Sequence, residues 1–191
     1  MTAMALALVT PRLEHLPGYV AALERGWHAD NTRGADAIAE DLEAIERDPA
    51  QFVALQTDVE ARGPGFTLPD GTVVPRLPGY RRWMWDGEFC GAIGFRWQNG
   101  THELPPTCLG HIGYSVVPWK RRRGYATIAL GMILRDAPNR GLKYVEITTD
   151  PDNIASQRVI LANGGVLAER FTKTEHHGGK PGLRYRIQVA S

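Results

Sequence analysis

Apolar residues return at Ala126, Ala129, Leu130, Ile133, Leu134 and Ala137. That is the i, i+3, i+4, i+7 rhythm of a helix with one buried face. Just before it, the apolar and β-branched run from Leu109 to Val117 reads as a strand that stops at Pro118. After it, Tyr144 to Thr149 reads as another strand by its β-branched content. Together these predict a β-α-β unit. Upstream, Leu6 to Val9 predicts a first strand, and Pro17 to Gly26 and Ala35 to Arg47 predict two helices. In the second helix Ile38, Leu42 and Ile45 share a face. Tyr80 to Trp85 and Glu88 to Trp97 flank Asp86-Gly87, a strong hairpin signal. Their aromatics Tyr80, Trp83, Trp85 and Trp97 are expected in the core, with some free to wall a pocket. The Pro- and Gly-rich stretch from Arg62 to Gly79 predicts a long loop or irregular strand, and Gly100 to Thr107 a second loop. Ile154 to Asn163 predicts a short helix closed by Gly164-Gly165. Val166 to Thr174 and Leu183 to Val189 predict two closing strands. The order is β-α-α-β-β-β-α-β-α-β-β.

Composition narrows the class. A chain of 191 residues fits one domain with its own core, so residues 1–191 are expected to form one. Residues 1–60 would supply a strand and helices, and 80–190 the hairpin, the central unit and the closing strands. With 43% hydrophobic and 23% charged residues the composition is that of an ordinary globular chain. The formal net charge of +1 offers no general basic field for nucleic acid. Met1 to Val9 is apolar but too short to span a membrane, and lacks the basic start of a signal peptide. Cys90 and Cys108 have no metal-ligand spacing and are expected to be reduced thiols of a cytoplasmic protein. His176-His177 has no Cys or carboxylate at ligand spacing, so no metal is expected.

The chemistry concentrates at the start of the central helix. Arg121, Arg122, Arg123 and Gly124 sit where that helix begins. First-turn amides lack internal partners and the helix dipole makes that end positive. Gly124 lets the backbone approach a ligand closely. A phosphate group suits such a place.

Arg121-Arg122-Arg123-Gly124-Tyr125-Ala126 resembles motif A of the GNAT superfamily of acyl-CoA-dependent N-acyltransferases: Gln or Arg, two residues, Gly, one residue, then Gly or Ala. A second match follows the Tyr144 strand, where the family carries Asn, then Ala or Ser three residues on, then a helix ending in Gly. Here these are Asn153, Ser156 and Gly164. The resemblance is closest to a bacterial branch of predicted GNAT acetyltransferases. Its strand before motif A reads Gly-His-Ile-Gly-Tyr-Ser-Val, as Gly110 to Val116 do, and its second site reads Asp-Asn-Ile-Ala-Ser, as Asp152 to Ser156 do. The resemblance implies an α/β (α+β) fold: a mixed, mostly antiparallel central sheet of about seven strands with helices on both faces.

It also implies acetyl-CoA as co-substrate and an amine of a small molecule or peptide as acceptor. The backbone around Tyr114, Val116 and Val117 would hold the pantetheine and the oxyanion. The amides of Arg122, Arg123, Gly124, Tyr125, Ala126 and Thr127, with the side chains of Arg121 to Arg123, would take the pyrophosphate. Asn153 would lie by the pantetheine arm; Asn is also a favoured helix cap, and both roles are compatible. GNAT domains often dimerise, so a homodimer is compatible too.

Three residues qualify as general base: Glu103 on the loop entering the Ile112 strand, His111 at its start, and Glu146 on the neighbouring strand. A neutral imidazole suits the task, and equally a hydrogen bond inside the sheet. Many GNAT enzymes carry a Tyr seven residues after the Asn, which protonates the leaving thiolate. Here that position is Ile160. The proton must then come from water, Tyr114, Ser156 or Tyr185, or the role is absent. Two readings remain: an N-acetyltransferase, favoured by the phosphate motif and Asn153, and a CoA-binding module without turnover, favoured by Ile160.

Overall fold

The computed structural model describes residues 5–30, 33–68 and 71–189. Met1 to Met4 and Pro69-Asp70, within the stretch read as a loop, lie outside the described residues, as does the side chain of His176.

The chain opens with β1 (Ala7–Val9), α1 (Leu16–Glu24) and α2 (Ala35–Arg47). Asp48 stops α2 in extended backbone and caps α3 (Pro49–Ala54), accepting the Gln51 N–H at 2.9 Å with Pro49 at the first helical position. A short β2 (Thr57–Asp58) follows. The Pro- and Gly-rich stretch is not wholly irregular, for β3 (Phe66–Thr67) and β4 (Val73–Val74) pair within it. Next come β5 (Gly79–Trp85), β6 (Phe89–Arg96), β7 (Ile112–Val116), α4 (Tyr125–Ile133), β8 (Tyr144–Thr149), α5 (Ile154–Ala162), β9 (Val166–Thr172) and β10 (Pro181–Gln188).

Apart from the separate β3–β4 pair, the strands form two groups, β1-β5-β6-β7 with β2 on β5, and β8-β10-β9. Every ladder among the described residues is antiparallel. Helices cover both faces. On one face Leu130 and Ile133 of α4 and Ile160 of α5 join a core with Met84, Ile93, Phe95, Val145 and Ile147. On the other, Tyr19 and Leu23 of α1 and Phe52 of α3 pack with Trp83, Phe89 and Ala92. Trp83 is fully buried and stacks on Tyr19 with ring centroids 4.7 Å apart. Tyr80, Trp83 and Trp97 are thus core residues, while Trp85 stays half-buried. No helix among the described residues is long and apolar enough to cross a membrane.

Candidate active site

The two strand groups meet at β7 and β8 and then part. His111 N–H donates to Glu146 O at 2.7 Å, and Glu146 N–H donates to His111 Nδ1 at 3.0 Å. Beyond that vertex no ladder joins β7 to β8 among the described residues.

Ladder phase decides which backbone groups of β7 face the gap. Arg96 N–H donates to His111 O at 2.9 Å, and Val117 N–H to Cys90 O at 3.0 Å. Antiparallel pairing alternates, so the backbone groups of Gly113, Ser115 and Val117 face β6. Those of Ile112, Tyr114 and Val116 face away from it, toward the gap. The Val116 carbonyl, on that outer side, accepts Arg121 Nε at 3.1 Å. Val117, expected to turn its N–H to the cofactor, instead closes the ladder and buries its side chain completely.

At the end of β7 a tight turn at Pro118–Lys120 leads into α4. Gly124 caps α4 at φ +77°, a left-handed conformation that favours glycine. Arg122 is also left-handed, at φ +63°. The first bond of α4 runs from Ile128 N–H to Gly124 O at 3.0 Å, so the amides of Tyr125, Ala126 and Thr127 have no intrahelical acceptor. The basic run is divided among different tasks. Lys120, only 9% exposed, pairs with Asp86 at 2.9 Å and Glu88 at 3.0 Å. Arg121 is tied to Val116 O. Arg123 approaches Asp86 at 3.8 Å. Arg122 is exposed and has no partner among the described residues.

Asp86 is the residue that sequence reasoning missed. It was legible only as a hairpin turn. Its side chain is 8% exposed and also accepts the Tyr125 hydroxyl at 2.6 Å. Burial pushes its carboxyl up, but the hydrogen bonds from Tyr125 and Lys120 outweigh that and hold it at about 2. Above the turn, Arg25 of the α1 end stacks on Trp119, 3.4 Å from the ring centroid. Trp27 Nε1 donates to Ser115 Oγ at 3.0 Å, which fixes the α1–α2 connection on β7.

Across the gap, Asn153 Oδ1 caps α5 by accepting Ser156 N–H at 3.0 Å. Tyr114 reaches over from β7, its hydroxyl 2.9 Å from Ser156 Oγ. Burial pushes the Tyr114 phenol up to about 12, with the Ser156 hydrogen bond opposing. Tyr185 meets α5 from β10 through Gln157 Oε1 at 3.3 Å. Ile160 is fully buried in the core and offers no proton.

The base candidates part company. His111 is fully buried, its Nδ1 lone pair taken by the Glu146 amide. Burial pushes its imidazole down to about 4, against the pull of Glu146. This is a histidine hydrogen-bonded inside the sheet. Glu146 is engaged by Arg186 at 2.8 Å and Arg184 at 3.7 Å. Glu103 is exposed on the loop, its N–H bonded to Thr101 Oγ1 at 3.1 Å. No group of three or more metal-ligating side chains occurs among the described residues.

The fold has known counterparts. RimL, the ribosomal L7/L12 α-N-protein acetyltransferase in complex with coenzyme A, is similar at TM-score 0.63 and 17% identity, over 99% of this chain and 96% of that one. Microcin C7 self-immunity acetyltransferase MccE, in complex with acetyl-CoA and AMP, is similar at TM-score 0.61 and 14% identity, over 99% and 94%. A GNAT-family acetyltransferase from Bacillus anthracis is similar at TM-score 0.58 and 16% identity, over 99% and 98%. Among curated proteins, none matches the chain. Residues 6–166 match the acetyltransferase (GNAT) domain, which is most of the chain. With the parted β7 and β8 and the glycine-capped α4 at the end of the gap, that match makes this chain a member of the GNAT family of acetyltransferases.

Proposed function

We propose that the protein transfers an acetyl group from acetyl-CoA to a primary amine of a small molecule or peptide, by direct attack in a ternary complex. The observation that carries this reading is the outer backbone edge of β7, open at Tyr114 and at the Val116 N–H and ending at the α4 cap. The pyrophosphate binds the amides of Arg122 to Thr127. The pantetheine runs along β7 beside Asn153, and the thioester carbonyl stops near Tyr114. Backbone donors aimed at the developing oxyanion stabilise it without reorganising. The amine nitrogen attacks the carbonyl carbon, the C–S bond breaks, and the thiolate leaves. The proton lost by the amine passes through water, assisted by Glu103.

Tyr114 donates a hydrogen bond rather than a proton. Moving a proton from a phenol at about 12 to a thiolate near 8.5 is uphill by about 5 kcal/mol. A hydrogen bond to a charged group contributes about 1.5–3 kcal/mol, so Tyr114→Phe should lower kcat roughly 10- to 100-fold while CoA affinity holds. Glu103→Gln should cost about tenfold in kcat/KM at neutral pH, because solvent reaches the same place. Stopped-assay kinetics on both variants check this, and an unchanged kcat in Tyr114→Phe removes it from the mechanism.

Among the arginines, Arg122 is the one left for phosphate. Arg122→Ala should weaken CoA about tenfold at low salt and less at high salt, since screening already weakens exposed pairs. Arg121→Ala should change it little. Titration calorimetry at two ionic strengths ranks them, and a larger loss at Arg121 reverses the assignment.

The second reading, a CoA-binding module without turnover, is favoured by the buried Ile160. A thiol-release assay separates the two. The neighbours' names span a ribosomal-protein α-amine and microcin self-immunity. The amines offered in that assay are therefore peptide α-amines and small-molecule amines. CoA binding without amine-dependent thiol release would leave the module as the function.

A further inference from the structure

We infer that Asp86 is a positioning residue for the acyl donor: from the tip of the β5–β6 hairpin it holds the phosphate loop in its binding shape. This rests on the donor site proposed above. The loop contains two left-handed residues, Arg122 at φ +63° and Gly124 at φ +77°. Glycine adopts that backbone freely, but at Arg122 it is strained and persists only where the surroundings over-determine it. One carboxylate does so here by grasping the loop on both sides. Before the loop it takes Lys120 Nζ at 2.9 and 3.1 Å. After the loop it takes the Tyr125 hydroxyl at 2.6 Å, on the first residue of α4. Within the loop it draws Arg123 to 3.8 Å.

The same contacts decide which cation meets the ligand. Lys120 is buried and already neutralised by Asp86 and Glu88. Its charge is spent behind the loop, and the outward charge is left to Arg122. Repulsion between Asp86 and a bound pyrophosphate is offset because Lys120 and Arg123 lie against the carboxylate. Holding the loop outweighs that repulsion, so losing Asp86 weakens the donor rather than tightening it.

The test compares two ligands. CoA carries the pyrophosphate, and pantetheine lacks it. Asp86→Asn should weaken CoA about tenfold or more, the scale of one charge-assisted bond, and leave pantetheine within about twofold. Tyr125→Phe removes a single bond to Asp86 and keeps the packing. It should show the same selectivity for CoA with a smaller loss. Asp86→Glu, which keeps the charge, should recover part of the affinity. A loss shared equally by both ligands, or CoA binding that is unchanged or tighter, overturns the inference. If Asp86→Asn does not fold, Tyr125→Phe decides alone by the same criterion. A wild-type protein that binds no CoA would instead overturn the donor site itself.

Discussion

Gly124→Glu is expected to fold and to lose CoA binding by about a hundredfold or more. Folding should survive because a Cβ at Gly124 meets no atom within 4 Å. The site is open, and its constraint is conformational. At φ +77° a side chain adds about 1–2 kcal/mol of strain. The loop escapes that strain by leaving the left-handed conformation, which misdirects the amides before α4. The glutamate then adds charge against the pyrophosphate: at roughly 5 Å the repulsion is about 1–3 kcal/mol for effective dielectrics between water and protein surface. Gly124→Ala isolates the first effect and should cost about 5- to 30-fold, the equivalent of the strain alone. Calorimetric titration with CoA, alongside thermal melts, reads both variants. Wild-type affinity in a folded Gly124→Glu protein would place the phosphate elsewhere.

The second large effect concerns stability. His111 sits at the vertex where β7 and β8 meet, fully buried and neutral. Its folded value of about 4 lies below the ordinary histidine value near 6.5. Above about 6.5 both folded and unfolded chains carry a neutral imidazole, and its titration contributes nothing. As the pH falls from about 6.5 to about 4, the unfolded chain takes up a proton that the folded chain refuses. Stability should therefore drop across that window by about 3 kcal/mol, and this group should add nothing further below it. His111→Gln keeps an acceptor for the Glu146 amide and removes the titration. It should be less stable than wild type at pH 7 and show a flatter decline toward pH 4. Urea unfolding over a pH series measures this. An equal slope in both proteins would mean that His111 is not the group responsible. The loss of activity in this variant should follow the loss of folded protein, in keeping with a vertex residue rather than a base.

Local order was legible along the chain because its signals are local. The period of α4, the β-branched content of β8, the Asp86-Gly87 hairpin and the exact span of α2 each follow from neighbours in sequence. The helix start after Pro118 was readable in the same way, from the apolar period that follows Gly124. The left-handed conformation of Gly124 was not, because it depends on how the turn after β7 is held. The partition of the basic run was not readable. Lys120, Arg121, Arg122 and Arg123 are neighbours of one charge, and nothing local distinguishes them. Asp86, brought from a hairpin more than thirty residues away, and the outer carbonyl of Val116 assign their separate tasks. The phase of β7 was undecided for a related reason. Which amides face the gap depends on the β6–β7 register, set by pairing across the sheet. The fate of His111 followed from the meeting of β7 with β8. Sequence showed a titratable group at a strand start, and only the packed sheet buried it and gave its lone pair to the Glu146 amide. Helix and strand periods are written in the chain, but the charge, burial and orientation of a site residue belong to the partners that folding brings to it.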